Sequence, residues 1–431
     1  MKRSALFDLI RWKSDPERKP LVVRGARQVG KTWLMREFGR IAYENVVYIS
    51  FDEQVEVKSL FETDKDPHRL VQMLSLIAET PIHPKTTLII FDEIQECPAA
   101  LNSLKYFCEK ANEYHVVAAG SLLGTLLAQP KSYPVGKVNL LDVHPLDFPE
   151  FLEALSPSLF AYYESIEPGQ VIESIFHNRL LEAFDLYLIT GGMPECLMSW
   201  LEHKDPARIA RIQTELVDLY ESDFSKYNGR VNSGRILMVF RSIVSQLAKP
   251  NEKFVYGVVR EGARAREFEE AIEWLVSAGL VNRVRNVSKP ELPLPAFDKL
   301  EHFKLFMFDT GLLKRMAGIP NAAILTKTDF QFKGPLAENF VQQQLRGMFE
   351  VEPRYYSDRS GEIDFVLQHG TEIVPVEVKG GEDKCAPSFK RYVNEHHPKY
   401  AVRFSRRNHR KDGEITNVPL YLASRLKDLL W

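Results

Sequence analysis

The sequence has no apolar run of membrane-spanning length, few cysteines and almost no net charge. No stretch approaches the roughly 18 apolar residues of a membrane span, so we expect a soluble protein without a membrane-embedded segment. The four cysteines are scattered without metal-ligand spacing, which argues against disulfides and zinc and favours a reducing, cytoplasmic compartment. The 56 basic and 58 acidic residues give a net charge of −2, so any nucleic-acid surface must be local.

The rest of the composition is that of an ordinary folded protein. The chain has 431 residues, of which 45% are hydrophobic and 26% are charged. This length is enough for about three domains, each with its own core.

A predicted phosphate-binding loop lies near the start of the chain. Gly25, Gly30, Lys31 and Thr32 have the spacing Gly-x-x-x-x-Gly-Lys-Thr, between an apolar strand at residues 21–23 and a helical pattern. Such glycines let consecutive N–H groups point inward, and the helix N-terminus adds partial positive charge. We expect Lys31 to reach the β- and γ-phosphates of ATP and Thr32 to bind Mg²⁺. The alternative is an ordinary glycine turn.

A second nucleotide signature follows at the end of another strand. Residues 87–91, TLIIF, form an apolar, β-rich run that leads into Asp92 and Glu93, which predicts a buried parallel strand that delivers two carboxylates. We expect Asp92 to hold Mg²⁺ through water and Glu93 to polarise the water that attacks the γ-phosphate. Two carboxylates without a role at a strand end are the alternative. The predicted nucleotide-binding residues are Gly25, Ala26, Arg27, Gln28, Val29, Gly30, Lys31, Thr32 and Asp92.

The next strand, at residues 115–119, is followed by Gly120 and Ser121. A hydroxyl at this position can sense the γ-phosphate, so Ser121 is a candidate catalytic residue with Lys31 and Glu93. It can equally be the N-cap of a helix LLGTLLA, and both roles remain open. Strands that alternate with helices predict an α/β fold, a doubly wound parallel sheet with its site at the strand C-termini.

Several motifs carry a resemblance to a known family. The segments GARQVGKT, FDEIQ, AAGS, YPVGKVNLLDVHPLDFPEFL and YLITGGMPE resemble the bacterial and archaeal AAA-type ATPases that have a C-terminal domain of unknown function. The resemblance implies a homo-oligomer, because such ATPases commonly complete the site across a subunit boundary. The family usually has arginine where this chain has Lys137, and lysine lacks the bidentate fork of an arginine finger. Arg179 and Arg211 are other candidates, or simply solvated helix residues.

The family resemblance and the helical patterns together predict four domains. They are a P-loop ATPase core at residues 1–144, a helical lid or connector at 145–225, a winged-helix-like domain at 226–320 and a restriction-endonuclease-like α/β domain at 321–431. The Gly191–Gly192 turn is interpreted as packing of the lid against the ATPase core, with a hinge as the alternative.

Arginines cluster in the predicted winged helix. Arg260, Arg264 and Arg266 precede one of its helices, and Arg283 and Arg285 mark one face of the first wing strand. They can contact phosphates, or they can form a solvated, salt-bridged face with the interleaved glutamates.

The C-terminal region contains a nuclease-like pattern on two predicted strands. Asp364, Glu377 and Lys379 form Asp-x₁₂-Glu-x-Lys across a hairpin, and their side chains can converge. In restriction-endonuclease-like folds the carboxylates bind Mg²⁺ at the scissile phosphate and the lysine polarises water. Glu338, on a preceding helix, matches the helical carboxylate of that arrangement, which gives a second metal site at Glu338, Asp364 and Glu377. A salt-bridged strand ladder is the alternative.

These features predict an AAA-type ATPase that uses ATP and Mg²⁺ and whose nucleotide cycle controls a C-terminal nuclease-like domain. That domain is expected to act on or bind nucleic acid. The alternative is an ATP-dependent binding switch that recognises a protein or nucleic-acid partner through a catalytically inert nuclease-like domain.

Overall fold

The computed structural model describes residues 2–121, 136–227, 229–249, 253–359, 361–381 and 387–430. The chain forms two compact units, Met1–His144 with Ser277–Leu280, and Pro145–Val276 with Val281–Trp431. The helix predicted after Ser121 and the cysteine at position 385 lie outside the described residues. Within the described chain, every helix is either too short or too polar to cross a bilayer.

The first unit alternates strands with helices, as the sequence predicts. Its elements are α1 Ala5–Ser14, β1 Leu21–Arg24, α2 Lys31–Ala42, β2 Asn45–Ser50, α3 Lys58–Thr63, α4 Pro67–Ile77, β3 Thr87–Asp92, α5 Pro98–Lys110, β4 His115–Ala119 and β5 Asn139–Asp142.

These strands form one parallel sheet in the order β2-β3-β4-β1-β5. β3 and β4 are buried at every position, because apolar runs in a parallel sheet are covered by helices on both faces. The prediction of an α/β fold with a parallel sheet is confirmed. Since all strands run the same way, β1, β3 and β4 end at one edge, where α2 begins.

The second unit begins with helices, and its strands follow from residue 281 onward with further helices between them. Its helices are α6 Phe148–Leu155, α7 Pro157–Glu164, α8 Ser174–Thr190, α9 Pro194–His203, α10 Pro206–Tyr227, α11 Gly229–Leu247, α12 Tyr256–Val259, α13 Ala265–Ser277, α14 Thr310–Met316, α15 Asn321–Leu325, α16 Lys333–Leu345, α17 Pro387–His396 and α18 Leu426–Leu430. Its strands are β6 Val281–Val287, β7 Asp298–Met307, β8 Arg354–Asp358, β9 Gly361–His369, β10 Glu372–Val378, β11 Ala401–Ser405, β12 Arg410–Asp412 and β13 Ile415–Pro419.

The strands of the second unit form one mixed sheet in the order β12-β13-β11-β10-β9-β8-β6-β7. β9 and β10 form the predicted antiparallel hairpin, with Gly370 at its tip. The hairpin β6–β7, which the sequence suggested as a wing, joins the same sheet because β6 pairs in parallel with β8. The sheet therefore crosses residue 320, where a domain boundary was predicted.

Within the second unit, the Gly191–Gly192 turn packs against Asp309 and Leu146. Asp309, the N-cap of α14, accepts hydrogen bonds from the N–H groups of Gly192 at 2.6 Å and Leu312 at 2.9 Å. Burial raises the pKa of Asp309 to about 6. A Cβ on Gly192 would lie 2.2 Å from the carbonyl oxygen of Leu146, so only glycine fits there.

Gly192→Ala is therefore expected to lower the free energy of unfolding of the second unit by about 3 kcal/mol, because backbone atoms cannot yield to the added methyl group. Gly234→Ala in α11 is the matched control, since its Cβ would meet nothing within 4 Å. That change should stabilise by about 0.5–1 kcal/mol through helix propensity. Chemical denaturation measures both, and equal stabilities of the two variants would contradict this account of the turn.

Candidate functional site

The loop between β1 and α2 is curled by left-handed backbone at three positions. Gly25, Gln28 and Gly30 have φ values of 149°, 62° and 94°. Gly25 must also be glycine because a Cβ there would lie 2.1 Å from the carbonyl oxygen of Val143. Positive φ values within so short a loop turn backbone N–H groups toward a common point and create an anion-binding concavity.

The side chain of Lys31 lies buried inside this loop. Its Nζ donates to the carbonyl oxygens of Gly25 at 3.0 Å and Ala26 at 2.8 Å, and it lies 3.5 Å from Ser121 Oγ. Burial lowers the pKa of Lys31 to about 8, against the opposing effect of Glu93 and Asp92. The ammonium group is therefore still mostly charged at neutral pH, and a polyphosphate would add the negative charge that favours it.

Asp92, at the end of β3, is fixed by three hydrogen bonds. Its Oδ2 accepts from Thr32 Oγ1 at 2.6 Å and from the Tyr48 hydroxyl at 2.9 Å, and its Oδ1 accepts from the N–H of Glu93 at 3.0 Å. The sequence reasoning missed Tyr48, which lies on β2 beside β3. Burial and the neighbouring Asp92 raise the pKa of Tyr48 to about 12, and the Arg36 guanidinium lies 3.9 Å from its ring centroid. Tyr48 thus orients the carboxylate as a neutral donor.

Glu93 follows directly in an uncommon backbone conformation. Its φ of 49° is in the left-handed region, where residues other than glycine are rare and often functional. The half-buried carboxylate accepts a hydrogen bond from the Gln95 side chain. Gln95 was also missed, although its place two residues after the acidic pair in FDEIQ is a usable signal. The backbone and Gln95 together fix the direction of this carboxylate.

Ser121 is buried at the end of β4, the strand next to β1. The structure therefore brings together Lys31, Thr32, Asp92 and Ser121 at the carboxyl edge of the sheet, as predicted from separate motifs. Hydroxyl and carboxylate oxygens are suitable Mg²⁺ ligands, and a buried ammonium beside a curled loop suits phosphates. The residues present fit ATP with Mg²⁺.

The three candidate arginine-finger positions have surface environments. Lys137 Nζ lies 3.1 Å from Glu109 Oε1, and Arg211 Nε lies 3.6 Å from Glu215 Oε1 one helical turn away. Arg179 and Arg211 are exposed on their helices. Such pairs are typical of solvated helix faces.

The arginines near α13 and β6 are mainly ion-paired or exposed. Arg283 lies 2.5 Å from Glu273, and Arg260 pairs with Glu267. Arg285 lies 4.0 Å from Asp298, whereas Arg264 and Arg266 are exposed. The salt-bridged face that the sequence left open as an alternative is therefore present for Arg260 and Arg283.

In the second unit, the C-terminal pattern residues converge. Asp364 Oδ2 accepts a hydrogen bond from the N–H of Val378 at 2.7 Å, which joins β9 to β10. Lys379 Nζ lies 3.2 Å from Glu377 Oε1. Burial raises the pKa of Asp364 to about 7, although Lys304 and Lys379 act in the opposite direction.

Lys304 on β7 is the largest omission of the sequence reasoning. Its side chain is 0% exposed, and its ammonium group pairs with Glu362 and lies 3.6 Å from Glu338 Oε2. The ammonium also lies 5.1 Å from the centroid of the Tyr355 ring. A lysine inside the apolar run FKLFMF is a signal that could have identified it.

Lysine ammonium groups lie beside two of the three carboxylates of the predicted second Mg²⁺ site. Among the residues that the structure describes, no three Asp, Glu, His or Cys side chains are gathered so that they could hold a metal ion. Glu338 and Glu377 instead lie beside the ammonium groups of Lys304 and Lys379. Lys304, which the Asp-x₁₂-Glu-x-Lys pattern does not include, is the lysine beside Glu338.

Comparison with protein families agrees with the geometry of the first site. The family described as "AAA domain" matches residues 17–152, a segment that contains the loop, Asp92, Glu93 and Ser121. The match supports an AAA-type ATPase domain in this segment. Residues 181–323 and 333–422 match two families described only as domains of unknown function, DUF8612 and DUF4143. A search of curated proteins finds no match to the chain.

Solved structures with some similarity to the chain include the following three proteins. The Walker-type ATPase PABY2304 of Pyrococcus abyssi has 14% identity and a TM-score of 0.48, covering 73% of this chain and 95% of that one. The Aeropyrum pernix ORC1 protein in complex with DNA has 14% identity and a TM-score of 0.31, covering 75% and 95%. AMPPCP-bound DnaA from Aquifex aeolicus has 12% identity and a TM-score of 0.27, covering 64% and 86%. These scores are too low to transfer any ligand or activity.

Proposed function

We propose that the chain binds and hydrolyses ATP in its AAA-type domain and that the nucleotide cycle controls a C-terminal nuclease-like domain that acts on or binds nucleic acid. The observation that supports this most is the convergence of Lys31, Thr32, Asp92 and Ser121 at one sheet edge. We expect such a site to hydrolyse ATP rather than only bind it, because Glu93 follows Asp92 directly and its charge acts on Lys31.

In this proposal each residue of the site has one role. Lys31 binds the β- and γ-phosphates. The Ser121 hydroxyl hydrogen-bonds the γ-phosphate in place of its contact with Lys31. Thr32 and Asp92 would hold Mg²⁺, which neutralises the charge on the phosphates. Glu93 accepts a proton from the water that attacks the γ-phosphorus, while the bond to the oxygen of ADP breaks. Tyr48 keeps the Asp92 carboxylate in place.

The domain organisation remains part of the proposal. It consists of the core at residues 1–144, a helical connector at 145–225, a winged-helix-like segment at 226–320 and a nuclease-like domain at 321–431. The hairpin β9–β10, with Asp364 tied to the backbone of β10, supports the nuclease-like assignment. A homo-oligomer would supply the cationic residue that completes the ATP site.

A second candidate function is an ATP-dependent binding switch whose nuclease-like domain cuts nothing. It is favoured by the pairing of Glu338 with Lys304 and of Glu377 with Lys379. Carboxylates whose charge is balanced by lysines are less available to a metal ion at a scissile phosphate.

One assay tests both candidates. Wild-type protein and the variants Lys31→Ala, Asp364→Ala and Lys379→Ala are incubated with labelled plasmid and single-stranded DNA, in Mg²⁺ with ATP or ADP. Cutting by wild type alone supports a nuclease. Binding that requires ATP, persists in Asp364→Ala and is lost in Lys31→Ala supports the switch. If neither cutting nor nucleotide-dependent binding occurs with any substrate, the proposed action on nucleic acid is wrong.

A further inference from the structure

We propose that Lys304 is a built-in cation of the C-terminal domain, whose ammonium group takes the place of a divalent metal ion among the carboxylates. The inference rests on the proposed nuclease-like character of that domain and is independent of the ATPase site. It implies that the domain binds its target without metal-dependent cutting.

Three elements hold the ammonium group of Lys304 at the cluster. β7 supplies the lysine, α16 supplies Glu338 with Oε2 at 3.6 Å, and β9 supplies Glu362, which accepts a hydrogen bond from it. Glu338 itself is buried. A charged lysine is rarely buried unless nearby carboxylates balance its charge. The buried ammonium group and the carboxylates around it therefore stabilise each other.

The position of Lys304 opposes binding of a second cation. A Mg²⁺ ion about 2 Å from Glu338 Oε2 would lie within about 6 Å of the ammonium group, which is 3.6 Å from that oxygen. Repulsion between the two cations is strong where little water screens it. Lys304 cannot withdraw into solvent because its side chain is wholly buried and its ammonium faces the Tyr355 ring.

The remaining carboxylates of the pattern are also engaged within the protein. Glu377 pairs with Lys379 at 3.2 Å, and Asp364 accepts the N–H of Val378. Lys379 is the lysine that the nuclease pattern would assign to water activation, and here it balances a carboxylate. In the proposed nuclease-like domain, lysines thus balance the charges of Glu338 and Glu377.

Counting bound Mn²⁺ by electron paramagnetic resonance tests this inference on the full-length chain. Wild type and Asp364→Asn are titrated with Mn²⁺ alone and with Mn²⁺ plus a non-hydrolysable ATP analogue. We expect equal counts for the two proteins under both conditions, with about one additional ion per chain when the nucleotide is present. A wild-type count that exceeds that of Asp364→Asn would overturn the inference. Absence of the nucleotide-dependent ion would instead count against the ATPase proposal.

Lys304→Met provides the converse test, with Lys299→Met on the same strand as the control. Removing the ammonium group should allow about one nucleotide-independent Mn²⁺ per chain to bind, whereas Lys299→Met should match wild type. Thermal unfolding shows whether the buried substitution has folded. A folded Lys304→Met protein that binds no additional Mn²⁺ would contradict the role of Lys304, and if it does not fold, the comparison with Asp364→Asn decides.

Discussion

Glu93→Gln is expected to bind ATP normally and to hydrolyse it about 10²–10³ times more slowly than wild type. Glutamine keeps the size of the side chain and its hydrogen-bonding oxygen but cannot accept the proton of the attacking water. The contacts that would bind the phosphates come from Lys31, Thr32 and the loop, so affinity should not change. Single-turnover hydrolysis and equilibrium binding of a fluorescent ATP analogue measure the two quantities separately.

The control for this prediction is a carboxylate of the same unit away from the site. Glu113 is exposed, and Glu113→Gln should hydrolyse ATP at the wild-type rate. If Glu93→Gln also retained wild-type turnover, the general base would have to be another group. If it lost ATP binding as well, the carboxylate would be supporting the loop rather than activating water.

Lys31→Ala is expected to weaken ATP binding by at least about a hundredfold, because it removes charge-assisted hydrogen bonds to two phosphates. The substitution should not lower the stability of the folded protein. The folded-state pKa of Lys31, about 8, is below its ordinary value of 10.5. Because the pKa of Lys31 is lower in the folded state, the neutral side chain stabilises the fold above pH 10.5, and this stability is lost as the pH falls from 10.5 through 8. At neutral pH the buried charge therefore opposes folding.

Thermal unfolding with and without Mg²⁺ and ATP checks this prediction. Wild type should melt at a higher temperature with nucleotide, and Lys31→Ala should show no such shift. Without nucleotide, the variant should melt no lower than wild type. Lys105→Ala, an exposed lysine on α5, should keep the full nucleotide-dependent shift. A normal shift in Lys31→Ala would remove Lys31 from the site.

The ATP site could be predicted from the sequence because each of its parts is local. The loop spacing fixes Lys31 and Thr32, and the apolar run of β3 fixes where Asp92 and Glu93 emerge. The parallel sheet then brings separate strand ends to one edge without further information. The β9–β10 hairpin was predictable for a similar reason, since its turn and its alternation lie within one short segment.

The features that sequence reasoning missed depend on pairings between distant segments. No local pattern indicates that β6 pairs with β8. This pairing continues the sheet across the predicted domain boundary. In the sequence, Lys304 is one polar residue in an apolar strand. Only the folded structure brings Glu338 of α16 and Glu362 of β9 beside it. The Gly191–Gly192 turn likewise needed Asp309 from another element to explain it.

The most direct test of the central claim, that the nucleotide state controls the C-terminal domain, is the affinity of Glu93→Gln for labelled DNA with ATP and with ADP. Because this variant holds ATP without turning it over, it isolates the two states. The account predicts dissociation constants that differ by at least about tenfold between the nucleotides, and no difference in Lys31→Ala. Equal affinities of Glu93→Gln for DNA in ATP and in ADP would contradict it.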